Sequence, residues 1–169
     1  MNKAVFLGCN EKQKKLLAEA SDLEDKGYME KAVSLYKQVL DISPTVPFAF
    51  ACLGGIYFDK KDYKTAISYF AEAIKLKPNS PKTILLKAKA EENYGLLKSA
   101  VETYDKYLDI DPDNADVYFK EANIYEYKEW YDSALLLYEK ALSLDKYNKQ
   151  YQYKIDEMKQ LIASGKSKE

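Results

Sequence analysis

The chain has 169 residues, 47% of them apolar and 31% charged, a balance that suits a folded domain or a short repeat array rather than a disordered segment. Its formal net charge is −1 and its lysines are spread along the whole length. It therefore lacks the concentrated positive face that grips phosphates, and no nucleic-acid partner is expected. Histidine is absent, and Cys9 and Cys52 form no CxxC pair, which excludes the usual zinc sites and histidine-based acid–base catalysis.

Residues 1–12 read as a leader, partly disordered or a helix extension. The opening Met-Asn-Lys-Ala-Val-Phe-Leu-Gly-Cys faintly resembles the end of a lipoprotein signal, in which Cys9 would carry the lipid. The apolar stretch from Ala4 to Leu7 is too short for the hydrophobic region of such a signal. A cytoplasmic location is therefore expected, with a lipid-anchored envelope protein through Cys9 as the alternative. No apolar run approaches the roughly 18 residues that a membrane span needs.

From there the sequence repeats. Ala32, Ala66, Ala100 and Ala134 form one ladder, and Tyr36, Phe70, Tyr104 and Tyr138 a second. Pro44, Pro78 and Pro112 form a third, which ends at Lys146, and Ala20, Gly54, Ala88 and Ala122 a fourth. Leu23, Tyr57, Glu91 and Tyr125 make a looser fifth, and Val39, Ala73, Tyr107 and Ala141 a sixth. Every step is 34 residues, a period that marks a stack of supersecondary units.

The spacing inside one period identifies its parts. Leu53, Gly54 and Tyr57 share one helical face, and Ala66, Phe70 and Ala73 share another. Asp59-Lys60-Lys61-Asp62 is a polar turn between them, and proline closes the unit where a helix cannot continue. Each unit is thus a helix, a turn, an antiparallel helix and a short link. The small residues at Gly54 and Ala66 let the two helices approach closely, and the ring at Phe70, Tyr104 or Tyr138 fills the space beside the following unit.

On these residues the chain resembles the tetratricopeptide repeat (TPR) family. The second unit carries Leu53, Gly54, Tyr57, Ala66, Phe70, Ala73 and Pro78 in the family's order. The resemblance implies an all-α fold: a right-handed superhelical α-solenoid of antiparallel helix pairs. About four repeats cover residues 13–146, with approximate bounds 13–46, 47–80, 81–114 and 115–148. Glu91 and Tyr107 depart from the pattern in the third repeat. Residues 148–163 read as a C-terminal capping helix, since Tyr151, Ile155, Met158 and Ile162 form one apolar stripe, and residues 164–169 as a frayed tail. A docking helix for a second chain is the alternative. Trp130 is expected to pack against that helix.

In a solenoid the first helices line a concave face. The residues expected there are Lys14, Leu17, Ser21 and Glu24; then Phe48, Ala51, Gly55 and Phe58; then Lys82, Leu85, Lys89 and Glu92; then Asp116, Phe119, Asn123 and Glu126. Within this set Phe48, Phe58, Lys82, Leu85, Lys89, Phe119 and Asn123 are the candidate peptide-binding residues. Aromatics would anchor a peptide, lysines would orient it, and Asn123 would bond its backbone. Equally, Phe48 and Phe58 could turn inward as packing.

A chaperone C-terminal tail is not the expected ligand. Leu17, Ser21, Gly55 and Leu85 stand where a TPR carboxylate clamp would place its lysines and asparagines, and only Lys89 keeps a positive charge. No convergent nucleophile, base, phosphate loop or metal set is legible, so no enzyme activity, cofactor or metal is expected. The function expected is an adaptor or scaffold that binds a protein or peptide. The alternatives are a scaffold that self-associates through its end faces, and the interaction domain of a larger protein.

Overall fold

The computed structural model describes residues 9–168. Among them nine α-helices follow in chain order, with no strand: α1 (Glu11–Asp25), α2 (Met29–Ile42), α3 (Pro47–Asp59), α4 (Tyr63–Leu76), α5 (Pro81–Tyr94), α6 (Leu97–Leu108), α7 (Ala115–Tyr127), α8 (Tyr131–Leu144) and α9 (Lys149–Ala163). The expected all-α tetratricopeptide architecture is the one observed. The leader's first eight residues lie outside the described part.

The helix ends follow local chemistry. Asn10 and Gln13 close a capping box on α1, each side chain accepting from the other's backbone N–H at 2.9 and 3.0 Å. Pro47 and Pro81 open α3 and α5, where a missing N–H leaves no bond unmade. Asp62, Asn114 and Asn148 cap α4, α7 and α9 through their side chains. Second helices begin at Met29, Tyr63, Leu97 and Tyr131, in step with the ladders. Each of the four turns that precede them carries one left-handed residue: Gly27, Lys61, Gly95 and Glu129, with φ of 80°, 61°, 89° and 61°.

The chain divides between Leu96 and Leu97 into two compact units. In the first, α1 packs on α2, α2 on α3, α3 on α4 and α4 on α5. One core gathers Leu17, Ala20, Ala32, Tyr36, Val39, Leu53 and Ile56. A second gathers Ala66, Phe70 and Ala90, with Phe58 and Leu86 against it. The Gly54 rung is a contact requirement: a Cβ there would sit 2.6 Å from the Phe70 ring. Glu91, the departure in the aromatic ladder, is buried and ion-paired with Lys87 one turn earlier.

In the second unit α7 packs on α6 and α8, and α8 on α9. Its core holds Ala122, Ala134, Tyr138, Ile155 and Met158, with Phe119 and Leu142 against it. Tyr107, the other departure, is buried and uses its hydroxyl in the α6–α7 link, donating to Asp111 at 2.8 Å and accepting from Asn114 at 2.9 Å. Trp130 stands just before α8. It is 39% exposed, lies against Tyr125 of α7 at a ring separation of 5.9 Å, and has the Lys128 ammonium over it at 4.8 Å. Its position just before α8 puts it beside the end of its own partner helix.

Helix α9 continues the register. Tyr151, Ile155 and Met158 are buried, one period after Val117, Glu121 and Ile124, which are buried in α7. The rungs that elsewhere receive a second helix, Tyr118, Ala122 and Tyr125 in α7, become Gln152, Asp156 and Lys159, all exposed.

Candidate functional site

In the first unit the outward row of α3 is Phe48, Ala51, Gly55 and Phe58, none of them buried and none fully exposed. Phe48 meets Tyr36 edge-on at 6.5 Å, and Phe58 meets Tyr63 edge-on at 5.5 Å. Both rings therefore rest on the core by one edge and keep part of their surface in water. Between them a Cβ on Gly55 would meet nothing within 4 Å. Packing requires a glycine at 54 and does not at 55, although an interior helical glycine costs about 1 kcal/mol against alanine.

Helix α5 contributes Lys82 (exposed), with Leu85 and Lys89 half-buried. Lys82 comes close enough to α3 to act electrostatically on the Cys52 thiol. Neither the Lys82 nor the Lys89 ammonium has a hydrogen-bonding or ion-pair partner among the described residues. Helix α1 contributes Lys14, bonded to Glu11 at 2.7 Å, half-buried Ser21, and Glu24, which accepts from the Tyr36 hydroxyl at 2.7 Å. Leu17, expected on this row, is instead wholly buried in the core, because its neighbours Ala20 and Tyr36 close over it.

Beneath the row Cys52 touches Tyr36. Burial pushes its thiol up to about 12 and raises Tyr36 as well, so both stay neutral at pH 7 and neither is an activated nucleophile.

In the second unit the same rungs of α7 are Asp116, Phe119, Asn123 and Glu126. Each has an internal partner. Asp116 accepts from the Tyr151 hydroxyl at 2.7 Å. Phe119 stacks on Tyr151 at 4.9 Å and lies tilted on Tyr138 at 5.3 Å. The Tyr138 hydroxyl is shared between Asn123 Oδ1 at 2.6 Å and Glu126. Lys154 of α9 bonds Glu126 at 2.7 Å and Glu157 at 3.0 Å. Burial first, then these acceptors, raise the Tyr138 and Tyr151 hydroxyls above the usual phenol range. The candidates thus separate: Phe48, Phe58, Lys82, Leu85 and Lys89 lie together in the first unit, while Phe119 and Asn123 are engaged in packing in the second.

Two features were missed in the sequence. Tyr153 of α9, 65% exposed, extends the rung of Leu85 and Phe119 by one more period, a signal available by counting on past the fourth repeat. The pairs Tyr36–Glu24 and Tyr138–Glu126 recur three periods apart. In the second repeat both members are phenylalanine, Phe70 and Phe58, so hydroxyl and acid are replaced together.

No helix among the described residues is long and apolar enough to cross a membrane, and no cluster of His, Cys, Asp and Glu there could hold a metal ion.

Family models described as tetratricopeptide repeat match residues 57–124 and residues 20–46 and 115–148. No curated protein sequence matches the chain. Among solved structures the chain is similar to the crystal structure of MamA protein, at 21% identity over 92% of this chain and 84% of that one, with a TM-score of 0.83. It is similar to MamA 41-end from Desulfovibrio magneticus RS-1, at 19% identity over 94% and 88% with a TM-score of 0.80. A tetratricopeptide repeat protein from Parabacteroides merdae ATCC 43184 aligns at 16% identity over 89% and 61%, with a TM-score of 0.81. Likeness at such identities concerns the fold. With sequence ladders, helix pairs and family models in agreement, the chain belongs to the tetratricopeptide repeat family and is a protein-interaction module.

Proposed function

We propose that the chain is a non-catalytic adaptor that holds a peptide segment of a partner protein against the first-helix face of its first unit. The observation that carries this reading is the contrast between the two rows. The row of α3 and α5 keeps two ammonium groups without partners among the described residues and two partly buried rings, with open space at Gly55. The polar groups on the α7 row are all bonded within the fold. Partly exposed aromatics beside unpaired charge are features of binding surfaces. An interaction domain of a larger protein would use the same face. The same reading puts the chain in the cytoplasm, supported by two unpaired thiols, Cys9 and Cys52.

Stacking through the end faces is the less supported alternative. On α1 the residues one period before the inter-repeat contacts of α3 and three before those of α7 are Lys15, Glu19 and Asp22, all exposed and charged. At the other end α9 presents Gln152, Asp156 and Lys159. Among the described residues these two rows are polar or charged, and we read α9 as a cap whose polar side faces water.

The test is selection of a displayed peptide library on the chain. Selected peptides should bind the wild-type protein, lose binding to Phe58→Ala/Lys89→Glu, and keep it with Leu136→Glu on the outer side of α8. Peptides that bind the first variant as well as the wild type overturn the proposal.

A further inference from the structure

The seam between α6 and α7 in the second unit carries a recognition feature that is independent of the first-unit face. We infer that Asp105 and Glu121 form a socket for an arginine side chain presented by a partner protein, with the guanidinium held between the two carboxyls.

Packing does not ask for an acid at Glu121. Its rung runs Leu53, Lys87, Glu121 and Ile155 on α3, α5, α7 and α9. Leu53 and Ile155 fill the position with apolar side chains, and Glu121 in their place is only 5% exposed. A carboxyl at such a position loses its hydration and needs a bond or a counter-charge in return. Among the described residues Glu121 has neither a hydrogen bond nor an ion pair.

Other acids of the fold show what such a group ordinarily receives. Glu91, also buried, is ion-paired with Lys87 one turn earlier. Glu139, one period after Asp105, is held by Lys159 at 3.2 Å. At the α6–α7 seam a second acid stands where the cation would be. Burial first, then Asp105, pushes the Glu121 carboxyl up to about 7. Burial first, then Asp109 and Glu102, raises Asp105.

The charged neighbours leave the pair unneutralised. Lys98 and Lys106 share α6 with Asp105 and do not act on it. Lys140 of α8 lies over the Tyr118 ring, 5.6 Å from its centroid, and does not act on Glu121. Tyr118, itself raised by burial, Glu121 and Asp113, stays neutral. Helix α9 directs Tyr151 and Lys154 to Asp116 and Glu126, on another face of α7. Asp105 is exposed, as are Glu102 and Asp109 on the same face of α6. The buried carboxyl thus lies behind an exposed acidic rim.

A guanidinium suits this arrangement better than an ammonium. It is less strongly hydrated, so less is lost when it moves against a buried acid, and its N–H fork bonds two carboxyls at once. No cluster of three ligating groups is present among the described residues to hold a metal ion instead.

The experiment titrates the full ¹⁵N-labelled chain at pH 6 and pH 8 with four probes. They are blocked Ala-Arg-Ala, blocked Ala-Lys-Ala, blocked Ala-citrulline-Ala and calcium chloride. The arginine peptide should shift amides around Asp105 on α6 and Glu121 on α7. Citrulline has nearly the same shape without the charge, and its peptide should bind at least about ten-fold more weakly. Binding requires the ionised form of Glu121, so affinity for the arginine peptide should rise about ten-fold from pH 6 to pH 8. Glu121→Gln should abolish that rise and weaken binding at pH 8 about ten-fold, and Asp105→Asn should weaken it similarly. Glu139→Gln, on the same rung as Asp105 but already paired, should leave binding unchanged. Glu121→Gln should melt no lower than the wild type at pH 8, since it removes an unpaired buried acid.

Equal binding of the citrulline peptide overturns the inference, because charge is then not read. Unchanged arginine binding in Glu121→Gln or Asp105→Asn overturns it too, as does a wild-type affinity that is flat in pH. Lysine binding as tightly as arginine, or calcium shifting the same amides more tightly, overturns the choice of a guanidinium. No shift with any probe overturns the socket itself. None of these outcomes bears on the first-unit face, which has its own variants.

Discussion

Tyr36 in the first unit and Tyr138 in the second stand on the same rung and make the same bond, to Glu24 and to Glu126. Around these equal bonds the units differ. Behind Tyr138 lies α9, whose Tyr151 stacks on Phe119 and whose Lys154 holds Glu126. In the first unit Phe48 and Phe58 meet the core edge-on, and Lys82 and Lys89 have no ion-pair partner among the described residues; both rows are partly in water and differ in how their polar groups are bonded. One set of packing ladders thus supports two surfaces. In one, side chains between the ladders are committed to stability; in the other they are left available. Packing rungs set the fold in both units, and the residues between them set what each unit can touch.

The largest test of this contrast removes the clamp. Truncation after Lys149 strips Tyr151, Ile155 and Met158 from the second core and exposes Phe119 and Tyr138. The second unit should lose its cooperative unfolding transition or aggregate, while amides of the first unit keep their dispersion. A truncated chain with a stable second unit would mean that α9 is a docking element rather than a cap.

Phe119→Ala is the next step down. Its ring sits between Tyr138 and Tyr151, so truncation should cost about 2–4 kcal/mol in denaturant unfolding. Lys82→Glu, on the corresponding row of the first unit, should change stability by no more than about 0.5 kcal/mol. Equal costs at the two positions would erase the distinction between a committed row and an available one.

These expectations show what was legible in sequence. The ladders of Ala66, Phe70 and Gly54 located the helix pairs, because close packing admits few side chains at those points. The candidate face was legible only as a set of outward directions. Leu17 and Phe119 point from the same rung, yet one is buried and the other is stacked under a tyrosine of the next helix. Exposure there depends on what arrives from other helices, which periodicity does not encode. The Tyr–Glu pairs were open to inspection, since Phe58 and Phe70 change together, but only by comparing rungs on different helices.

The second unit also carries a titratable penalty. Glu121 is buried on α7, and burial, reinforced by Asp105 on α6, pushes its carboxyl up to about 7; Tyr118 is a further titratable group near it. Its folded value stands above the ordinary 4.5, so the folded state holds the proton more tightly than the unfolded one. The associated stability is full below pH 4.5 and is lost as pH rises through 7. On the order of 2–3 kcal/mol should go in that window, and Glu121→Gln should flatten this part of the profile. Indistinguishable profiles for the two proteins, measured by denaturant unfolding at pH 5 and 8, would show that the carboxyl is charged in the fold at neutral pH.

The smallest expected effect lies in the turns, and it reverses the usual sign of mutation. Gly27 and Gly95 take the left-handed conformation freely, whereas Lys61 and Glu129 hold φ of 61° with a Cβ in place. That conformation costs an L residue about 1 kcal/mol, part of which glycine returns through greater freedom in the unfolded chain. Lys61→Gly should therefore stabilise the first unit by about 0.5–1 kcal/mol; the Lys60–Glu30 ion pair next to it is untouched. Glu129→Gly should gain less. Its carboxylate meets Lys168 at 2.7 Å, although its backbone oxygen, which accepts from the Lys168 N–H at 3.0 Å, survives the substitution. The difference between the two gains measures how much the ion pair with the C-terminal residues contributes to the second unit. Equal gains would show that the pair adds nothing there, leaving α9 as the element that sets the two units apart.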